Sequence, residues 1–192
     1  ELATIAGIFM YPPLQGKNMA IVTHAGGPAV MLTDALSNGG MEIPHLEGEK
    51  ALQLLEQLFN GSSVGNPIDF LATGTAEQLG IILDACERDF DAVDGIAVIF
   101  GSPGLFPVFD VYDMLDRKMK TARKPIFPIF PSYTIVKEEI KAFADKGRVY
   151  FPDEVLFGNA LAKVWHTAAP QPENPVLPAV NVQKIRAIID QA

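Results

Sequence analysis

Two short stretches hold the residue types that could receive an anion. Thr23-His24-Ala25-Gly26-Gly27-Pro28 follows one apolar run, and Phe100-Gly101-Ser102-Pro103-Gly104 follows another. In both, glycines lead from a strand-like segment toward a helix-like one. A helix start presents unpaired backbone N–H groups and a partial positive charge, which suits a phosphate or a carboxylate. Glycine lets a ligand approach that backbone closely. Ala25, Gly26 and Gly27, with Gly101, Ser102, Pro103 and Gly104, are therefore the candidate phosphate-binding residues. Ordinary tight turns between strand and helix look the same, because short glycine-bearing connections are common there. Neither stretch has the lysine of a P-loop, and neither matches G-x-G-x-x-G.

The remaining chemistry-bearing residues are sparse. His24 ends the first apolar run, where a histidine could move protons; the favoured reading is a loop side chain hydrogen-bonded to a neighbour. Asn66 and Asp69, in Gly65-Asn66-Pro67-Ile68-Asp69, could orient a loop or touch a ligand, and the same residue types also cap turns. Ser102 lies in G-S-P-G, which is not the G-x-S-x-G of a nucleophile elbow. Cys86 falls inside a helical pattern and reads as a buried thiol. His45 and His166 read as structural. No catalytic residue and no metal-ligand set is assigned.

The elements needed to position these loops follow from hydrophobic periodicity. Residues 19–23, 41–46, 93–100, 125–130 and 148–151 read as strands, the third of the kind buried on both faces. Helical spacing covers 29–37, 49–59, 76–88, 108–122, 134–146 and 153–168. In the helix at 49–59, Leu52, Leu55 and Phe59 form the expected buried stripe, with Glu56 and Gln57 facing water. Residues 60–75 read as a long loop. Strands alternating with helices imply an α/β fold: a flavodoxin-like, doubly wound parallel sheet of about five strands in three layers. Ligands of such sheets sit outside the carboxyl ends of the strands, where both glycine loops emerge.

The chain has 192 residues with 48 % hydrophobic and 20 % charged, a globular composition. Its net charge of −8 argues against a nucleic-acid backbone binder. One cysteine excludes an internal disulfide framework and fits a reducing compartment. No apolar run approaches the ~20 residues of a membrane span, and no signal peptide is visible, so a cytoplasmic location is expected. Four of the 15 prolines fall in 170–178, which reads as a stiff linker. The expected domains are therefore 1–169 and, after a boundary near 170, a linker and the start of a following segment (170–192) with a helix from Asn181.

Three segments together resemble a known family. Gly16-Lys17-Asn18-Met19 through Thr23-His24-Ala25-Gly26-Gly27-Pro28-Ala29-Val30 and on to Thr33-Asp34 looks like the G-x-x-x-A-I-V-T-N-A-G-G-P-G-V segment of ADP-forming (nucleoside-diphosphate-forming) acyl-CoA synthetases. Asn66-Pro67-Ile68-Asp69 looks like their N-P-V-D element, and Lys124-Pro125-Ile126 like their K-P-V strand. The match spans roughly residues 1–168, and the layout is similar to the carboxy-terminal domain of the succinyl-CoA synthetase beta subunit. His24 stands where the family usually has Asn.

The resemblance implies an internal domain of a synthetase converting acyl-CoA, ADP and phosphate to acid, CoA and ATP through a phosphohistidine in another domain. It implies CoA, ADP or ATP, phosphate and Mg for the parent enzyme, with none of them bound by this piece alone. The implied partners are a CoA-binding Rossmann domain, the phosphohistidine domain and an ATP-grasp domain, with no nucleic acid and no membrane. The alternative is a synthetase-like regulatory module, without catalysis, in a protein acyltransferase. A free-standing receiver-like or small-ligand module is the third reading.

Overall fold

The computed structural model describes residues 1–102, 108–131, 134–168 and 181–191. Its strands are β1 (Met19–Thr23), β2 (Ile68–Asp69), β3 (Gly95–Ile99) and β4 (Ile126–Ile129). They form one all-parallel sheet in the order β2-β1-β3-β4. The helices are α1 (Leu2–Ile8), α2 (Gly26–Asn38), α3 (Glu49–Leu55), α4 (Ala76–Arg88), α5 (Phe109–Thr121), α6 (Lys137–Ala144), α7 (Glu154–His166) and α8 (Val182–Ile189). Alternate strand residues face opposite sides. Met19, Ile21, Ala97, Ile99 and Phe127 therefore pack under α1, α2 and α7, while Ala20, Val22, Ile96, Val98 and Ile126 pack under α3, α4, α5 and α6. Every residue of β1 and β3 is buried, which explains their unbroken apolar runs.

The fold is the expected three-layer α/β sandwich, but among the described residues the sheet has four strands. Residues 41–46 contribute a single parallel bridge, Asn18 with Glu42. Pro44 has no N–H to give a ladder, and its carbonyl instead accepts from Asn66. Residues 148–151 likewise give one parallel bridge, Ile129 with Phe151, just before Pro152. The reading of 60–75 as loop missed β2, whose two residues form too short a run for periodicity to show.

Asn66 explains how β1 keeps a continuous edge. Below it, Met19 N–H donates to the Glu42 carbonyl at 2.8 Å; above it, Phe70 N–H donates to the Thr23 carbonyl at 3.0 Å. Between them the Asn66 side chain stands in for a strand residue. Its Oδ1 accepts from Ile21 N–H at 2.9 Å, and its Nδ2 donates to the Met19 carbonyl at 2.9 Å and the Pro44 carbonyl at 3.0 Å. A side-chain amide carries both a donor and an acceptor, as a peptide unit does. The peptide bond to Pro67 is cis, and Asn66 has φ 71°.

The buried faces of two helices were settled by tertiary contact. In α3 and the turn that follows it, Ala51, Leu54 and Leu58 are buried, whereas Leu52, Leu55 and Phe59 face outward. The stripe is displaced because Leu54 and Leu58 are also spaced by a helical turn, and the tertiary contact selected that set. In α2 the buried residues are Ala29, Leu32, Ala35 and Leu36, leaving Val30 and Met31 exposed. α2 crosses α7 at close range through small residues: a Cβ on Gly158 would lie 2.9 Å from the Ala35 Cβ, and one on Gly39 only 2.3 Å from the Ala162 Cβ.

The segment opening with Lys124 has a capping role. Lys124 Nζ donates to the carbonyls of Cys86 (2.8 Å) and Phe90 (3.0 Å). These lie at and just past the end of α4, where a cation suits the unpaired carbonyls and the negative end of the helix dipole. Glu87 of α4 returns the contact by accepting from the backbone N–H groups of Arg123 and Lys124.

Candidate anion-binding end of the sheet

The strand register gathers the sequence candidates at one end of the sheet. Thr23 is aligned with Asp69 on one side and Ile99 on the other. The residues that follow, His24, Phe70 and Phe100, continue the same row. The His24 ring stacks on Phe100 with centroids 4.5 Å apart, and Phe70 stacks on the same ring at 6.1 Å. Phe100 in turn meets Tyr112 of α5, which stacks on Phe130. An aromatic layer thus lies under the carboxyl end of the strands.

His24 is 8 % exposed, and its Nδ1 lies 3.4 Å from the Ile99 carbonyl. A carbonyl only accepts, so that contact assigns the proton of the neutral ring to Nδ1. Burial pushes the imidazole below its ordinary pKa, against the opposing pull of the Ile99 carbonyl and the Asp69 charge. The favoured reading of His24 as a neighbour-bonded loop side chain matches this placement.

Thr23 shapes the first loop, a role that the sequence reading did not give it. Its Oγ1 accepts from Ala25 N–H at 3.0 Å and donates to the Ala25 carbonyl at 2.7 Å. The Thr-x-Ala spacing before a glycine pair is the signal that could have identified this turn. Ala25 is then the extended N-cap of α2, with its own N–H already engaged. Gly26 and Gly27 follow as the exposed first residues of the helix. No side chain caps this helix start, and its first turn has no acidic residue. Pro28 is the third helical residue.

Asp69 stands beside that start. Its Oδ1 accepts from Leu71 N–H at 2.9 Å, and a Cβ on Gly26 would lie 3.8 Å from its Oδ2. The carboxylate is thus the protein's own negative charge next to the positive end of α2. Among the described residues a Cβ on Gly27 would meet nothing within 4 Å, so they leave the solvent side of the helix start open.

The second loop is built differently. Gly101 is buried and Ser102 half-buried at the end of β3; Pro103 and Gly104 lie outside the described residues. α5 begins only at Phe109, so Gly101 and Ser102 do not themselves form its first turn. That turn contains Asp110, whose Oδ1 accepts from Val111 N–H at 2.9 Å. Of the two helix starts, the one at Gly26 and Gly27 has no acidic residue in its first turn, although the Asp69 carboxylate lies beside it. Asn66, the other candidate, hydrogen-bonds along the β1 edge, to Met19 and Ile21 of β1 and to Pro44 beside it. Among the described residues, no group of three or more His, Cys, Asp or Glu could hold a metal ion.

The fold and site together define a flavodoxin-like α/β domain with an uncapped, glycine-led helix start at the carboxyl end of its sheet. No family model matches the chain. Two curated proteins are similar to part of it. The alpha subunit of the ADP-forming acetate–CoA ligase II of Pyrococcus furiosus is 32 % identical over 78 residues, which is 41 % of this chain and 17 % of that protein. The ADP-forming acetate–CoA ligase I of Archaeoglobus fulgidus is 35 % identical over 72 residues, 38 % of this chain and 10 % of that protein.

Solved structures share the fold. PH0766 of Pyrococcus horikoshii superposes with a TM-score of 0.76 at 23 % identity, over 85 % of this chain and 38 % of that one. The apo dinucleotide-forming acetyl-coenzyme A synthetase 1 of Ca. Korarchaeum cryptofilum gives 0.72 at 17 % identity, over 84 % and 36 %. The resemblance to the ADP-forming acyl-CoA synthetase superfamily therefore holds in sequence and fold, over a minor part of each relative's length. Among the described residues, no helix is long and apolar enough to cross a membrane.

Proposed function

We propose that this chain is an internal domain of a nucleoside-diphosphate-forming acyl-CoA synthetase. Its parent would convert acyl-CoA, ADP and phosphate to acid, CoA and ATP through a phosphohistidine held on another domain. This domain contributes a helix start that stabilises the travelling phosphoryl group, and the surface against which the CoA-binding, phosphohistidine and ATP-grasp domains assemble. The parent draws on CoA, ADP or ATP, phosphate and Mg. The observation that carries the reading is the open start of α2 at Gly26 and Gly27, in a chain similar to two ADP-forming acetate–CoA ligases. Its donors are backbone N–H groups, so an anion can be held without lysine or arginine, in keeping with a net charge of −8. A helix start of this kind contributes about 0.3–2 kcal/mol toward a bound anion.

The test uses the intact parent protein with acetyl-CoA, ADP, Mg and phosphate. ATP formation and an acid-labile, base-stable phosphoprotein are followed together, and both are expected. Gly27→Ala, which has room for its methyl group within the protein, is the control for loss of the glycine itself. Gly27→Asp places a like charge where the phosphoryl group would approach and should slow phosphoryl transfer, by about tenfold if 1.4 kcal/mol is lost. A folded parent that yields neither product across a panel of acyl-CoA thioesters would favour the regulatory-module reading. Equal turnover of the Asp and Ala variants would remove α2 from the mechanism.

A further inference from the structure

Among the described residues two helices carry apolar stripes that no neighbour covers. On α3 and the turn after it the stripe is Leu52, Leu55 and Phe59, with Leu52 62 % exposed. The helix expected from Asn181 forms as α8, capped by the Asn181 side chain. Its stripe is Val182, Ile185, Ile188 and Ile189, with Ile189 67 % exposed, and no residue of α8 is buried. Both stripes keep the spacing of three and four that sets side chains on one helix face. A helix of eight residues is marginal in water on its own, so the stability of α8 has to come from a surface on which its apolar face packs.

Charge decides which surface that is. Lys184 and Arg186 stand on either side of Ile185 and flank the α8 stripe. Glu49 and Glu56 lie one turn before and one turn after Leu52, on the exposed side of α3. Among the described residues none of these four is in a salt bridge. Lys50, the one base of α3, is turned away to Asp89 at the end of α4, 3.6 Å distant. The α3 stripe is therefore acid-flanked and the α8 stripe base-flanked. The apolar groove of about 300 Å³ between α1 and α7 has no charged residue in its lining, so it offers the flanks of α8 no complement.

We propose that α8 of one copy of this chain docks on the α3 stripe of a second copy, and the second copy's α8 on the α3 of the first. Stripe meets stripe, and Lys184 and Arg186 meet Glu49 and Glu56. The chain's own α8 does not supply the cover, since every residue of that helix is exposed. A twofold arrangement makes the same contact twice, so both stripes of both copies leave water together. The opposite charges also favour this pairing over α8 on α8 or α3 on α3. The assignment goes beyond the proposed function and does not rest on it.

Sedimentation equilibrium of the full chain, from low to high micromolar concentration and at low salt, gives the test. The weight-average mass should rise with concentration from the 20.8 kDa of one chain toward twice that value. Two charge variants are compared with it: Lys184→Glu with Arg186→Glu, and Glu49→Lys with Glu56→Lys. All four side chains are exposed, and circular dichroism controls for folding. Each variant alone sets like charges against each other and should weaken association about tenfold. Mixed in equal amounts the two should pair again, because each α8 then meets an α3 of opposite charge. A chain that stays monomeric at every concentration would overturn the proposal and leave α8 to its own copy or to a different protein. A dimer that keeps its strength in both variants would overturn it by placing the interface elsewhere. So would a dimer weakened by the α8 changes and not by the α3 changes, or two weakened variants that do not pair on mixing, since α8 would then sit on another surface.

Discussion

Replacing Asn66 by aspartate tests whether one side chain completes the edge of β1. The change is nearly isosteric and keeps the acceptor for Ile21 N–H. It removes the Nδ2 donor and sets a carboxylate oxygen against the Met19 and Pro44 carbonyls, which now lie 2.9 and 3.0 Å from that nitrogen. Each lost hydrogen bond is worth about 0.5–1.5 kcal/mol net, and an acceptor left without a partner costs about 1–3 kcal/mol. Asn66 is half-buried, so water offsets part of this; the expected loss is about 2–4 kcal/mol, large against a typical stability of about 5–15 kcal/mol. In urea, with a slope of about 2–3 kcal/mol/M, the midpoint should fall by about 0.7–2 M at pH 7. Once protonated, the new carboxyl can donate to one of the two carbonyls, so the deficit should shrink as pH falls through the ordinary carboxylate range. Equilibrium unfolding of the wild-type and variant chains, followed by circular dichroism, measures both effects. A loss below about 1 kcal/mol at pH 7 would refute the strand-replacement argument, since that is the ordinary effect of a point substitution.

Three further outcomes follow from the packing and the electrostatics. Lys124→Met keeps the apolar stem but removes both bonds to the end of α4, so it should cost about 1–3 kcal/mol and lower the melting temperature by about 2–12 °C; an unchanged melting curve would show that water replaces the ammonium. Gly39→Ala should force α2 and α7 apart at the Ala162 contact and cost about 1–3 kcal/mol, and a second change, Ala162→Gly, should restore most of it in a double-mutant unfolding cycle. His24 binds its proton less readily folded than unfolded. Its contribution to stability is therefore complete above the unfolded value of about 6.5 and is lost as pH falls from there toward the lower folded value. His24→Asn should flatten the stability-against-pH curve in that window, and an unaltered slope would mean that the ring is not desolvated as described.

Long, uninterrupted patterns were legible in the sequence. β1 is apolar from Met19 to Val22 and β3 throughout because both faces are covered, and the helical spacing over 76–88 matches α4, whose start the structure closes with a capping box of Thr75 and Gln78 that was not read from the sequence. The alternation of such elements sufficed for a parallel, three-layer α/β fold, because crossover connections leave few other solutions. The glycine pair at the end of β1 marked the start of α2 for a local reason as well: close approach to a backbone requires the absence of a side chain.

Tertiary structure decided what those patterns share with their alternatives. Leu52 and Leu54 are equally apolar, and only the position of α3 against α4 and the sheet settled which of them is buried. β2 has two residues and no periodicity, so its place at the edge of β1 came from pairing with Thr23 and from an asparagine side chain used as backbone. The same holds for the candidate site. Its glycines are visible in the sequence, but that Asp69 lies beside the start of α2, that His24 is stacked and neutral over Phe100, and that Asn66 faces the strand edge depend on register. Register is set by contacts between residues up to 76 positions apart, because side-chain direction in a sheet alternates with every residue and only the packed layers above and below fix the phase.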